Sequence, residues 1–196
     1  MAAQPQIESP RFVLAHYRPA FAAPISTWAT SESELRWLAP ATPPPLTPQK
    51  VHAWTPDGRR RYVVWDRAVR TVVGHAELDF LSPDTNRMWI GHFVLAPGVR
   101  GRGLATRFAN GLLHLAFGQF DAAEVVLLVF PDNEPAIRCY RRAGFVDAGV
   151  EHKYFEHSRM QCALTRMGID RAAYRRAEAS VAGVGPRLAC QPDGLA

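Results

Sequence analysis

The sequence predicts a mixed α/β fold: a mainly antiparallel central sheet of about six or seven strands flanked by about four helices, with one parallel pair of strands around a helix. Three observations carry this. Residues 62–65, 71–80 and 87–95 are apolar or alternating runs separated by short turn-forming segments, so they read as an antiparallel meander. After Gly103 the apolar period lengthens to that of a helix, with Leu104, Phe108, Leu112 and Leu115 or Ala116 on one face. Residues 125–130 are then continuously apolar and β-branched, which fits a strand covered on both faces and parallel to its predecessor across the helix.

Taken in order, residues 1–10 read as a loose start and residues 12–14 as a short first strand. Helix formers from Ala20 to Leu38 are interrupted at Pro24 and Pro40, which predicts two short helices. The stretch from Pro40 to Pro48 has prolines that lack the backbone donor and restrict their predecessors, so it is a stiff loop, followed by a short helix through Val51 to Trp54. The meander comes next, with Asp66 to Arg70 as its hairpin loop and Ser82-Pro83-Asp84 as its second turn. Beyond the buried strand, Asn133 caps a helix that accepts Pro135 in its first turn and stops at Gly144. Residues 145–150 and 160–165 supply two closing strands, and residues 168–196 form an arginine-rich helix and tail.

With 196 residues the chain is sized for one domain and one core. Its 47% hydrophobic and 21% charged residues are those of a globular protein. No stretch approaches the ~18 apolar residues of a membrane span, and Met1 to Pro5 lacks the basic start and apolar block of a secretory signal. A cytoplasmic protein without a membrane partner is expected, as a monomer or homodimer. Cys139, Cys162 and Cys190 share no ligand spacing, so neither a disulfide framework nor a metal site is expected. The net charge of +5 comes from arginines scattered over several elements, with only Arg59-Arg60-Arg61 as a run, so nucleic acid is not an expected partner.

The chemistry centres on Arg100-Gly101-Arg102-Gly103-Leu104-Ala105, a basic glycine turn between a strand and a helix. Such a turn presents unpaired N–H groups and the positive end of the helix dipole, where a phosphate binds well. The glycines allow close backbone approach, and Arg100 and Arg102 add charge. A P-loop would need Gly-Lys-Ser/Thr, which does not occur. A dinucleotide turn would need a third glycine at Thr106 and an acid about 20 residues on, and would open a parallel sheet rather than follow a meander.

Residues 94–105 resemble the acetyl-CoA pyrophosphate signature of the GCN5-related N-acetyltransferase superfamily. A second block, Asn133 to Phe145 with Asn133, Ala136, Tyr140 and Gly144-Phe145, is similar to that family's later motif. The resemblance covers about residues 11–167, here the acetyltransferase domain. It implies acetyl-CoA as the cofactor. The backbone of Phe93, Val94 and Leu95 would pair with the pantetheine arm, and the amides of Arg100, Gly101, Arg102, Gly103, Leu104, Ala105 and Thr106 would hold the pyrophosphate. Asn133 would contact the arm and Tyr140 would protonate the departing thiolate. Gly98 replaces the usual Gln or Arg of the signature, and Trp89 stands where several branches carry an acid.

Acetyl transfer to an amine needs a neutral nucleophile, oxyanion stabilisation and a proton for the thiolate. Tyr140 lies two helical turns beyond Asn133, so both can line one face. For the base, Glu77 is the first choice, sharing a strand face with His75 and Asp79, and His92 is the second. Trp28, Trp37, Trp54 and Trp65 lie in the region that builds the family's acceptor wall, most of them as core. The expected activity is direct acetyl transfer to a primary amine, on a small molecule or a protein N-terminus. The alternative is a noncatalytic acyl-CoA-binding or sensing protein of the same fold.

Overall fold

Strands β1 (Phe12–His16), β2 (Arg61–Asp66), β3 (Thr71–Ser82), β4 (Arg87–Leu95), β5 (Glu124–Val129), β6 (Val146–Phe155) and β7 (Met160–Asp170) form one sheet, ordered β1-β2-β3-β4-β5-β7-β6, in the computed structural model of the chain. The structure describes residues 11–55, 60–82, 86–180 and 188. All neighbours in the sheet are antiparallel except β4 and β5. A parallel pair needs a crossover, which α4 (Leu104–His114) supplies.

The predicted apolar stripe of α4 is buried: Leu104, Phe108 and Leu112 pack with Leu78, Met88, Ile90, Val125 and Leu127 from the sheet. Its last turn widens into a π-helix at Leu115–Gln119, and so both Leu115 and Ala116 are buried. On the opposite face, α1 (Ala22–Ile25), α2 (Glu32–Leu38) and α3 (Pro48–Ala53) cover the β1 to β4 side, with Ile25, Trp28, Leu38 and Val51 against Val63 and Val94. Farther along, over β5, β7 and β6, that face is bare, and Leu128 is 38% exposed.

Prolines explain where the helices differ from expectation. Pro24 does not break a helix; it lies within the single short turn of α1, where its missing N–H costs no intrahelical bond, and the chain leaves the helix at Ser26. Pro48 likewise opens α3 rather than ending the loop, with Thr47 Oγ1 accepting the Lys50 N–H at 3.3 Å. In α2, Ser31 Oγ accepts the Glu34 N–H at 3.2 Å while the Glu34 carboxylate reaches back to the Thr30 N–H at 2.8 Å.

α5 (Glu134–Arg142) is bounded as expected. Asn133 Oδ1 accepts the Ala136 N–H at 3.3 Å, and at the other end Gly144 takes φ +97° while Phe145 N–H donates to the Tyr140 carbonyl at 3.0 Å. The closing strands run longer than residues 145–150 and 160–165. β7 continues through residue 167 to Asp170, pairing Ile169 with Val125 and Asp170 with Glu124, before α6 (Arg171–Ser180) begins. Among the described residues, no helix is long and apolar enough to cross a membrane.

Candidate active site

The turn from β4 into α4 takes the conformation that its glycines allow. Gly101 and Gly103 have φ of +74° and +76°, and a Cβ on either would meet nothing within 4 Å. Glycine is therefore needed for the left-handed backbone, not for space. No side chain caps α4, so the first-turn amides of Leu104, Ala105 and Thr106 have no partner within the helix, and Gly103, Ala105 and Thr106 line a cleft of about 560 Å³. The lining includes Phe93, Val94, Leu95, Thr106 and Tyr140.

Arg100 does not add its charge to this turn. Its guanidinium donates to the Leu95 carbonyl at 3.0 Å, to Glu34 Oε1 at 2.6 Å and to the Trp28 carbonyl at 2.6 Å. It ties the end of β4 to α2. Arg102 is exposed, and besides Arg100 the cleft is lined by Arg138 and Arg142 of α5. The other end of α2 is fastened too, with Arg36 paired to Asp132 and Trp37 Nε1 donating to Asp132 Oδ1 at 3.1 Å.

β4 and β5 are paired only from Arg87–Glu124 to Trp89–Val126, and beyond that they diverge. The rest of β4, including Phe93, Val94 and Leu95, therefore keeps its β5-side backbone groups outside any ladder, as a pairing arm would require. The gap joins the first cleft to a second of about 620 Å³ on the bare face of the sheet. Trp37, Leu38, Phe93, Asn133, Ala136 and Tyr140 line both.

Tyr140 lies at this junction. Its ring packs edge-on against Phe93 and Phe145 at 5.7 and 5.8 Å, so it is also part of the core. No described residue hydrogen-bonds its hydroxyl. Burial, with the neighbouring Cys139 adding to it, raises the phenol pKa and holds the proton on oxygen. Cys139 also faces the first cleft, where burial pushes its thiol up and the Thr106 hydroxyl lies 3.7 Å from Sγ.

The two candidate bases, Glu77 and His92, are hydrogen-bonded to each other. Glu77 is 3% exposed, with Oε1 accepting from Thr55 Oγ1 at 2.6 Å and Oε2 from His92 Nδ1 at 2.8 Å. Burial alone would raise its pKa, but the bonds from His92 and Thr55 and the charge of His92 outweigh it and bring the carboxyl to about 2. Such a carboxylate is sealed from the cleft and accepts no proton at neutral pH. Its Oε2 engages His92 through Nδ1, which leaves Nε2 as the ring nitrogen outside this pair.

The backbone presents this ring. Between His75–Val94 and Glu77–Gly91 the register slips, so His92 and Phe93 oppose the single residue Ala76 in a β-bulge, with His92 at φ +43°. His75 holds the bulge. Its Nε2 accepts from buried Arg61 Nε at 3.1 Å, so its Nδ1–H donates to the His92 carbonyl at 3.0 Å. Burial, then the charge of Arg61, depress the His75 pKa to about 3 and keep it neutral. Asp79, expected beside these residues, instead pairs with Arg60 at 2.5 Å.

Trp89 contributes surface in the place of an acid. Its indole folds over Gly91, where a Cβ would stand 1.7 Å from the ring. The tryptophans divide as follows: Trp28 is core, Trp65 packs beside it, Trp54 stacks on His92 and Trp37 lines both clefts. Sequence reasoning missed the contacts of Thr55 with Glu77 and of Trp54 with His92, and the ties of α2 to Arg100 and Asp132. The Ser31-x-x-Glu34 start was a readable signal for α2, whereas nothing local marks Thr55.

Comparison with known proteins adds to this geometry. The acetyltransferase (GNAT) family profile matches residues 28–145. The chain is 33% identical over 82 residues to the spermidine N(1)-acetyltransferase of Escherichia coli strain K12, a match covering 41% of this chain and 44% of that protein. It thus spans less than half the length of this curated relative. Among solved structures, the spermidine N-acetyltransferase from Vibrio cholerae in complex with CoA and spermine aligns with TM-score 0.68 at 20% identity, covering 84% of this chain and 98% of that one. An aminoglycoside acetyltransferase in complex with coenzyme A and kanamycin aligns with TM-score 0.64 at 21% identity, covering 84% and 98%.

Proposed function

Because the chain belongs to the acetyltransferase (GNAT) family, we propose that it transfers an acetyl group directly from acetyl-CoA to a primary amine, using the first cleft for the donor and the second for the acceptor. The observation that carries this is the position of Tyr140, whose side chain lines both clefts beside the gap between β4 and β5. The family and the relatives' amine substrates support the reaction type.

The donor cleft fits the cofactor. Free amides at the start of α4 suit a pyrophosphate, and the unladdered edge of β4 suits an amide-bearing arm. Acetyl-CoA, when bound, supplies the acetyl group as a thioester whose leaving group is a thiolate. Tyr140 keeps its proton until it can give it to sulfur, because burial disfavours the phenolate. His92 Nε2 takes the proton of the attacking amine, directly or through one water, while its Nδ1–H stays on Glu77. Backbone N–H groups of β4 beyond Trp89 are the donors available to the developing oxyanion.

Transfer is direct rather than through an acyl-cysteine. Cys139 is held as a thiol by burial, and no described histidine approaches it. The noncatalytic reading rested on the missing acid at Trp89, and the Glu77–His92 pair supplies an alternative base. Thiol release from acetyl-CoA across a panel of amines tests the proposal, with Tyr140→Phe as the control. Tight cofactor binding without turnover of any amine would leave the binding-only reading.

A further inference from the structure

The second cleft has an unusual charge for a site meant to take an amine. Three cations line it, Arg87, Lys153 and Arg166, with one carboxylate, Glu151. Glu151 is already held by Lys153 at 3.2 Å. Beneath the cleft, Glu124 is shared: Arg87 Nε donates to its Oε2 at 2.6 Å, and Arg166 Nη2 stands 3.8 Å from the same oxygen. Two guanidiniums thus have one carboxylate between them. Arg166, 27% exposed at its side chain, makes no hydrogen bond to any described residue.

The register locates this excess. Arg166 is paired with Leu128 on β5, two residues beyond Val126, where the pairing with β4 ends at Trp89, and it lines the same cleft as Gly91 and His92. The surface between is apolar and aromatic: Trp89, Val126, Leu128 and Phe130. A polycationic amine would set its distal charges against this arginine pair with no free carboxylate to meet them.

Resting on the acetyl-transfer reading above, we propose that the acceptor is an amine with an anionic group at the far end of an apolar or aromatic body, its nitrogen at His92, its body on Trp89 and its anion on Arg166 and Arg87. A carboxylate or a phosphate would serve, because a guanidinium fork binds either in bidentate fashion. Specificity then comes from the bare half of the sheet and not from the catalytic groups.

The test compares kcat/KM of the full chain for 2-phenylethylamine, 4-(2-aminoethyl)benzoate, 4-(2-aminoethyl)phenyl phosphate and spermidine, and also measures binding of each by calorimetry in the presence of coenzyme A. The expected result is an advantage of about 10- to 100-fold for the anionic amines over 2-phenylethylamine, the scale of a charge-assisted hydrogen bond, with spermidine poorest. Whichever anion gains more identifies the natural group. In Arg166→Gln the ratio of anionic to uncharged-body substrate should collapse, and in Arg166→Lys it should partly return. Equal rates for benzoate and phenylethylamine, or a preference for spermidine, would overturn the inference while leaving acetyl transfer intact. Selective binding of the anionic amines without turnover would keep the inference and overturn acetyl transfer.

Discussion

The indole of Trp54 lies flat on the imidazole of His92, with ring centroids 4.1 Å apart and planes 2° from parallel. With Glu77 hydrogen-bonded to Nδ1, the ring is fixed in plane and in tautomer, which is the arrangement a general base requires. His92→Gln is expected to lower kcat/KM for the amine by about 100-fold or more. Glu77→Gln should cost about 10- to 100-fold through loss of the orienting acceptor. That second variant also deprives buried Arg61 of a carboxylate 3.7 Å away, so its melting temperature should fall, while His92→Gln leaves the pair in place. Initial rates at saturating acetyl-CoA, with thermal melts alongside, separate the two effects.

Tyr140→Phe keeps the ring contacts with Phe93 and Phe145 and removes only the hydroxyl. The expected outcome is a kcat lower by about 100-fold with acetyl-CoA affinity within about twofold of wild type. Stopped-flow thiol release and a cofactor titration measure these separately. A large loss of affinity with kcat intact would mean that the phenol serves binding.

Gly103→Ala is a conformational test of the anion turn. The added methyl group has open space, yet the residue must hold φ +76°, at a cost of about 1–2 kcal/mol. Coenzyme A affinity should fall by at least as much as the turn relaxes, and 3′-dephospho-coenzyme A should lose equally, because the amides address the pyrophosphate. Gly98→Ala, which also has open space but no positive φ, should be nearly silent in both assays.

Acid stability should carry the signature of His75. Its folded pKa of about 3 lies below the ordinary 6.5, so between those values the unfolded chain binds a proton that the folded chain refuses. The contribution is fully present above pH 6.5 and is lost as pH falls towards 3, with a slope of up to ~1.4 kcal/mol per pH unit. Glu77, lowered from 4.5 to about 2, acts with the same sign in its own lower window. His75→Gln keeps an acceptor for Arg61 and should remove about one proton from the slope between pH 4 and 6, as read by urea unfolding at several pH values.

What the sequence revealed follows from how local each cause is. The bounds of β4, the cap and stop of α5 and the glycine turn are set by residues within a few positions, and all are legible. The hydrogen bond between Glu77 and His92 is not, because the β-bulge at His92 breaks the alternation from which faces are read. Arg100 misleads for a different reason. Its charge beside the turn is obvious, whereas its partner Glu34 lies 66 positions away, and only the fold brings them together. Trp89 reads as a missing acid, and only its position over Gly91 reveals it as a wall.

The divergence of β4 from β5 after Trp89–Val126 leaves the parallel ladder of the sheet incomplete. On the proposed reading, the cofactor arm completes it from outside, acting as a removable strand whose backbone-like amides replace those of β5. The empty protein would then have a seam through its centre, and saturation would knit the two halves together. A hundredfold excess of coenzyme A over its dissociation constant would add about 2.7 kcal/mol to the unfolding free energy. Hydrogen exchange on β4 beyond Trp89 and on β5 beyond Val126 should slow most, so that the fold itself reports whether the donor is bound.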